Sequence, residues 1–395
     1  MVNVGNILLF ILLCCGGGLI LNKRTMLSSF IFLFSILTVW LIINTLLENK
    51  CTKGGRLSLL NFLLTATVLI AIKTKSKLLF YICFEARVIP ITLIVLYYGY
   101  QPEKLQASIF LLIYTVVSSL PLLLYIIKVS HDFVRTILLT VPITLVFIVK
   151  TPLFLLHTWL PKAHVEAPVG GSMMLAGVLL KLGSFGLMLF LPLVKTNRLI
   201  SLYFVLSLLG CIVGSLTCLR QRDIKLLVAY SSVVHMGVVN LGLIRGRELG
   251  YSCALMMVLA HGLRSPFLFA FSYWIYVSSQ SRLLLNNTIF WPVSAGLIFG
   301  LLTLNMGVPP SLGLWAEVWL CICILSSIYW RFPALLVFLL LSITYNLYFY
   351  TSCSHSKFPN RHKRLSALNI LTTTQVMLCG YSALFCLDLF HIFLL

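Results

Sequence analysis

Apolar residues run through this chain in long blocks, and the polar breaks between them are short. Reading runs of about 17–25 such residues as membrane crossings predicts some thirteen helices. They fall at about 6–21, 27–47, 57–72, 77–98, 106–127, 136–158, 169–193, 199–219, 224–244, 249–277, 290–329, 332–352 and 369–394. The third is short, and the eleventh is long enough to be a broken helix or two helices. The pattern predicts an all-α polytopic membrane protein without a soluble domain, so a nucleotide or redox cofactor would bind elsewhere.

Composition agrees with the pattern. Of 395 residues, 60% are hydrophobic and 10% charged, against roughly 25% charged in soluble domains. The net charge of +20, from 29 Lys+Arg against 9 acids, would suit nucleic acid if it were clustered. Instead it is scattered over nearly every loop, as in Lys23/Arg24, Lys73/Lys75/Lys77, Arg220/Arg222/Lys225 and Arg361/Lys363/Arg364. Anchoring at lipid headgroups explains that distribution better. Basic residues divide almost evenly between the two sides, so charge does not orient the chain. The first 20 residues lack a basic n-region and do not resemble a cleaved signal peptide. That fits synthesis inside the compartment that uses the chain. The 12 cysteines, among them Cys14/Cys15 and Cys321/Cys323 in apolar helices, read as small hydrophobes.

Charge inside the apolar blocks is scarce enough to be informative. Glu48, Glu103, Asp132, Glu166, Asp223, Glu248 and Asp388 fall in loops or near span ends, which leaves Glu85 and Glu317 deep in spans. The same filter leaves Lys150, Lys181, Arg87 and Arg264 among the bases, and His235 and His261 among the histidines. An ammonium at the centre of a spanning helix costs about 2.5–3.5 kcal/mol on translocon scales. Snorkelling to the interface needs a nearby helix end, and Lys181 has more than about ten apolar or small residues on each side. A lysine set between desolvation and a carboxylate can gain and lose a proton, whereas arginine stays charged. Glu85 and Arg87, two residues apart, point to different faces and are not obvious partners; a basic group on a neighbouring helix is the alternative for Glu85. His235 and His261 are flanked by small or hydroxyl residues and suit a proton relay. They lack a third metal ligand in register.

Two breaks look alike. Lys150-Thr-Pro is followed by His157 and Trp159, and the Asn305–Ser311 interruption with Pro309-Pro310 by Trp315 and Glu317. Interrupted segments at related places in two halves point to an inverted-repeat transporter with its working site at the breaks.

These motifs resemble one family: FEARVIP at 84–90, QPEKLQAS at 101–108, YTVVSSLPLL at 114–123, VKTPLFLLHTWLPKAHVEAPVGGSMMLAGVLLKLG at 149–183, CLRQRDIKLLVAYSSVVHMG at 218–237, LAHGL at 259–263 and VPPSLGLWAEV at 308–318. They are similar to the antiporter-like, proton-pumping membrane subunits of respiratory complex I, over about residues 80–320. The resemblance implies discontinuous seventh and twelfth helices, two inverted five-helix repeats and a hydrated mid-membrane chain of charged groups. Matched motif by motif, the proton-transfer residues are Glu85, Lys150, Lys181, His235, His261 and Glu317. A glutamate at 317, where sister subunits carry lysine, points to the subunit 4 branch. The chain then divides into N-terminal helices (1–75), a first repeat (76–193), a second repeat (194–353) and a C-terminal loop and helix (354–395).

The resemblance further implies a multi-pass place in the mitochondrial inner membrane, with other membrane-arm subunits, sister antiporter-like subunits and lipids as partners and no nucleic acid. No cofactor or metal would bind this chain. NADH, FMN, iron–sulfur clusters and ubiquinone would sit in other subunits. Two departures stand out: Glu85 lies on the fourth predicted span rather than the fifth, and Arg87 and Arg264 replace uncharged residues. Each arginine either tunes its neighbour, Glu85 or His261, or faces outward. The rival classes are a cation/proton antiporter subunit working without such partners, and a scaffold with inert buried charges.

Overall fold

Among the described residues, helices form almost everywhere the apolar blocks predict them, because a chain crossing hydrocarbon must satisfy its backbone groups internally. The computed structural model describes residues 55–74, 76–128, 137–191, 197–246, 248–284, 292–309, 311–326 and 331–354, and six positions between 34 and 45. The predicted spans 6–21 and 369–394, most of 27–47, and the acids Glu48, Asp132 and Asp388 lie outside the described residues.

In chain order the helices are α1 (Gly55–Lys73), α2 (Lys77–Ala86), α3 (Val88–Tyr98), α4 (Lys104–Lys128), α5 (Ile137–Lys150), α6 (Trp159–Glu166), α7 (Val169–Met174), α8 (Leu180–Phe190), α9 (Asn197–Arg220), α10 (Ile224–Arg245), α11 (Glu248–Ser279), α12 (Pro292–Met306), α13 (Leu312–Leu325) and α14 (Phe332–Ser354). A π-helical turn, Leu175–Leu179, joins α7 to α8. Among the described residues, eight segments are long and apolar enough to span, with α2–α3 and α7–α8 counting as one each. Among the described residues there is no strand, only a single bridge pairing Asp223 with Leu283.

Several predictions change in detail. The span expected at 136–158 stops being helical at Lys150, and the chain runs irregularly to Thr158 before α6 begins. The long block at 290–329 is two helices, and α12 continues through Asn305 to Met306, so that break is shorter than expected. The short third block is a full helix of 19 residues. Pro90 cannot donate to the carbonyl four residues back, and a turn at Arg87 accordingly separates α2 from α3.

The core lies on α10, α11 and α7–α8: in an apolar 18-residue stretch of each, 94%, 94% and 83% of residues are buried, against 33% in α4, α9 and α14. The outer helices turn residues such as Leu120, Ile127, Leu202 and Leu340 outward, as lipid-facing surfaces do. Every charged residue singled out inside a span other than Glu85 sits below 7% exposure in this core.

Candidate functional site

The first break is braced from three directions. Helix α5 ends at Lys150, and Thr151 returns its hydroxyl to the Phe147 carbonyl at 2.9 Å. Trp159, the first residue of α6, donates its indole N–H to Val149 O at 3.0 Å. Asn240 of α10 donates to Thr151 O at 2.9 Å. Backbone groups freed by an interrupted helix inside a membrane need such partners. Within the loop Leu155 adopts φ 77°, a conformation side chains with a Cβ rarely take. Gly183 of α8 packs on the same break: a Cβ there would meet Thr151 Cγ2 at 2.9 Å and Lys150 Cβ at 3.3 Å. The helix bearing Lys181 therefore lies directly against the end of the helix bearing Lys150.

Lys150 reaches α2. Its Nζ lies 2.5 Å from Glu85 Oε1 and 3.7 Å from the centre of the Phe84 ring. Lys150 is thus the basic partner of Glu85 on another helix. Arg87 is buried and donates Nη1 to Leu179 O at 3.1 Å, with its guanidinium 4.2 Å from the Phe84 ring centre. The outward-facing reading of Arg87 is thereby removed.

Lys181 is fully buried. Its Nζ donates to Ala176 O, inside the π-helical turn, and meets His261 Nδ1 at 2.6 Å. A π-turn shifts the carbonyl register of the helix. Here it presents a carbonyl to the ammonium of a residue on the next turn. The His261 ring lies 5.8 Å from that of His235, whose Nε2 meets the Tyr345 hydroxyl at 3.3 Å. The order along the contacts is Lys181, His261, His235, the reverse of the histidines' chain order. Helix α11 packs against α7 and the π-turn, so His261 is the residue facing Lys181.

The second break holds Glu317. Gly307 there takes φ +74°, and a Cβ on it would lie 3.0 Å from Glu317 Oε2. Ser311 caps α13 by accepting from Leu314 N–H. Arg264 donates to Leu304 O at 2.7 Å and to Met257 Sδ at 3.4 Å, and its charge acts on Glu317. It too faces inward. Asn305 of α12 ties to α14 through Asn346 Oδ1 at 2.9 Å. Glu317 Oε1 makes no hydrogen bond within the protein.

Lys181, His235 and His261 each lie roughly a dozen residues in from a span end. At about 1.5 Å per residue, that places them near the middle of a hydrocarbon core about 30 Å thick.

Sequence reasoning missed four residues. Tyr345 looked like ordinary span content. Lys225, read as a headgroup anchor, instead donates Nζ to Val165 O at 2.9 Å and Ala167 O at 2.7 Å. Glu166, read as a loop acid, is buried at the end of α6. With the Gln101 amide oriented to satisfy both neighbours, it receives Nε2 at 2.7 Å while Arg282 Nη1 donates to the amide oxygen at 2.9 Å. His164 is completely buried, stacked on Phe269 with ring centres 4.4 Å apart, and neither ring nitrogen has a hydrogen bond within the protein. The signal available was a histidine between two prolines, Pro161 and Pro168, beside a helix break.

Residues 74–344 match the family described as NADH:quinone oxidoreductase/Mrp antiporter, transmembrane. The chain is 37% identical over 350 residues to NADH-ubiquinone oxidoreductase chain 4 of Albinaria caerulea, covering 84% of this chain and 79% of that one. It is 40% identical over 330 residues to the chain of the same name from Ceratitis capitata, covering 78% and 73%. Its fold matches a chain of the structure of respiratory complex I from Thermus thermophilus with bound NADH. That match has a TM-score of 0.80 at 24% identity, over 93% of this chain and 84% of that one. The chain therefore belongs to the NADH:quinone oxidoreductase/Mrp antiporter family, in its NADH-ubiquinone oxidoreductase chain 4 branch.

Proposed function

We propose that this chain is a proton-translocating membrane-arm subunit of NADH:ubiquinone oxidoreductase, driven by redox chemistry that takes place in other subunits. Membership of the chain 4 branch supports this reading. The single observation that carries the residue assignment is the contact of Lys181 with His261 at 2.6 Å, in a core where neither side chain reaches a surface. An ammonium beside an imidazole is a donor touching a group that can accept its proton and pass it on.

Glu85 and Lys150 form the gate. When a neighbouring subunit changes state and draws them apart, Lys150 holds its proton less firmly and passes it toward Lys181. The proton then moves through His261 and His235 toward Tyr345 and Glu317. Arg264 supplies the positive charge that sets the affinity of Glu317. Coulombic coupling between such groups reaches further here than in water, because the surroundings are of low dielectric.

The same reading divides the chain into inverted repeats. Counted by crossings, the broken helix is fourth of five in each half: α5–α6 within 55–190, and α12–α13 within 197–354. Five is odd, so the second half starts from the opposite side of the membrane and is inverted by necessity. On this count α1 joins the first repeat, which begins at 55 rather than 76. Lys181 and Tyr345 then occupy the fifth helix of their respective halves. With the further helices expected outside the described residues, the chain would have some thirteen crossings. The mitochondrial inner membrane, sister antiporter-like subunits and lipid as surroundings belong to the same proposal, as does the absence of a redox centre or cofactor in this chain.

The test is proton translocation by the intact complex in proteoliposomes with Lys150→Ala. The proton-to-electron ratio should fall while quinone reduction under uncoupled conditions persists. An unchanged ratio would return Lys150 to the role of a structural charge.

A further inference from the structure

We propose that Arg87 is a positioning residue for proton release at the gate: its fixed charge keeps Glu85 ionised while Lys150 is neutral. The proton of Lys150 then goes forward to Lys181 rather than back to the carboxylate. This rests on the proton-transfer reading of Glu85, Lys150 and Lys181 given above.

Arg87 occupies the turn between α2 and α3, two residues beyond Glu85. It is 2% exposed, and arginine keeps its proton in surroundings where lysine can lose one. A charge so deeply buried is normally matched by one of opposite sign. Among the described residues Arg87 makes no ion pair; it is held by the Leu179 carbonyl and the Phe84 ring. That same ring carries Lys150 Nζ at 3.7 Å. Two buried cations therefore share one aromatic face, and Glu85 is the one carboxylate whose charge acts on both.

Charge balance gives the arrangement a consequence. With Lys150 protonated, the three groups carry one net positive charge. When one Nζ–H bond of Lys150 breaks and the proton is taken up at Lys181, Glu85 and Arg87 remain, and together they are neutral. Without Arg87 the same release would strand a carboxylate with no counter-charge in an apolar region. The proton would then stay between Lys150 and Glu85, which lie 2.5 Å apart. Low dielectric lets the guanidinium act on both groups without touching the carboxylate.

The anchorage of Arg87 suits a charge that must not move. Leu179 is the last residue of the π-helical turn and stands two residues before Lys181. Arg87 is thus tied to the helix that receives the proton while belonging to the segment that bears Glu85. When Lys150 and Glu85 separate, the arginine stays with the carboxylate. The charges acting on Lys150 are those of Glu85 and Arg87. Tyr81 of α2 faces Glu85 and is hydrogen-bonded by Ser119 of α4. The basic residues of α1 and α4 stand at their ends, and α3 and α7 carry none.

The experiment measures the proton-to-electron ratio of the assembled complex in proteoliposomes across pH, for wild type, Arg87→Gln, Arg87→Lys and Lys150→Ala. Without the fixed charge Lys150 holds its proton more firmly, so release needs a lower proton concentration. Arg87→Gln should therefore pump less at neutral pH and recover as pH rises, its profile displaced upward by about one pH unit. Arg87→Lys keeps a cation and should restore the wild-type profile, although it loses the planar guanidinium that serves the Leu179 carbonyl. Equal loss in both variants with no displacement would make Arg87 a structural clip and overturn the proposal. A wild-type profile in Arg87→Gln, with Lys150→Ala impaired, would overturn it and leave the proton-transfer reading standing. An unimpaired Lys150→Ala would overturn that reading and the role of Arg87 with it. If Arg87→Gln fails to assemble, the double variant Glu85→Gln/Arg87→Gln decides. It should assemble in better yield than Glu85→Gln alone, because one unmatched cation remains in place of two. An equal or lower yield would overturn the proposal.

Discussion

Lys150 and Lys181 are both buried near the middle of their crossings, on helices in contact, yet their surroundings differ in kind. Lys150 has a carboxylate at 2.5 Å and an aromatic face beneath it. Lys181 has an imidazole ring and a backbone carbonyl, and no carboxylate. The two arginines of the same core are different again, since each donates to a carbonyl, of Leu179 or Leu304. In an apolar interior an ion pair balances its own charge, while an ammonium held only by dipoles does not. On the proposed function, Lys150 would keep its proton until its partner moves, and Lys181 would receive one and give it up. The arginines would hold fixed charge, each against a backbone carbonyl.

The sharpest way to break this contrast is to give Lys150 surroundings like those of Lys181. Glu85→Gln leaves a buried ammonium without its counter-charge, and should destabilise the chain by about 3–5 kcal/mol. The loss is read as a lower thermal midpoint and a lower yield of assembled complex. His261→Leu removes an imidazole partner from Lys181 and should cost less, about 1–3 kcal/mol, in the same melting experiment. If the two losses were equal, or reversed, the contrast between the lysines would be wrong. Trp159→Phe removes the indole bond to Val149 O at the break, and a loss of about 1 kcal/mol is expected. Tyr345→Phe deletes a single hydroxyl contact with His235 and should cost about 0.6 kcal/mol, a typical hydrogen bond between membrane helices.

That Glu317, Lys150, Lys181, His235, His261, Arg87 and Arg264 are buried was legible because ionisable groups in long apolar runs are rare and expensive, so a filter on depth finds them. The breaks were legible from Pro152 and Pro309, although their lengths were not. What one-dimensional hydropathy lacks is the direction in which a helix end faces. Glu166 and Lys225 sit where the apolar run stops, which looks the same whether the end meets water or another helix. His164 was hidden for that reason, and because a histidine carries little weight in a hydropathy count. The π-turn at Leu175–Leu179 has no distinctive residue. Yet it is the feature that presents the Ala176 carbonyl to Lys181. Tyr345 was illegible because tyrosine is common in membrane helices, and only its partner His235 marks it out.

Removing the ammonium that touches His261 is the most direct trial of the account. Complex carrying Lys181→Ala, reconstituted in sealed vesicles, should still oxidise NADH when the membrane is made leaky to protons. In coupled vesicles it should move fewer protons for each electron pair. Undiminished pumping by that complex would mean that the central lysine is a passenger in the fold.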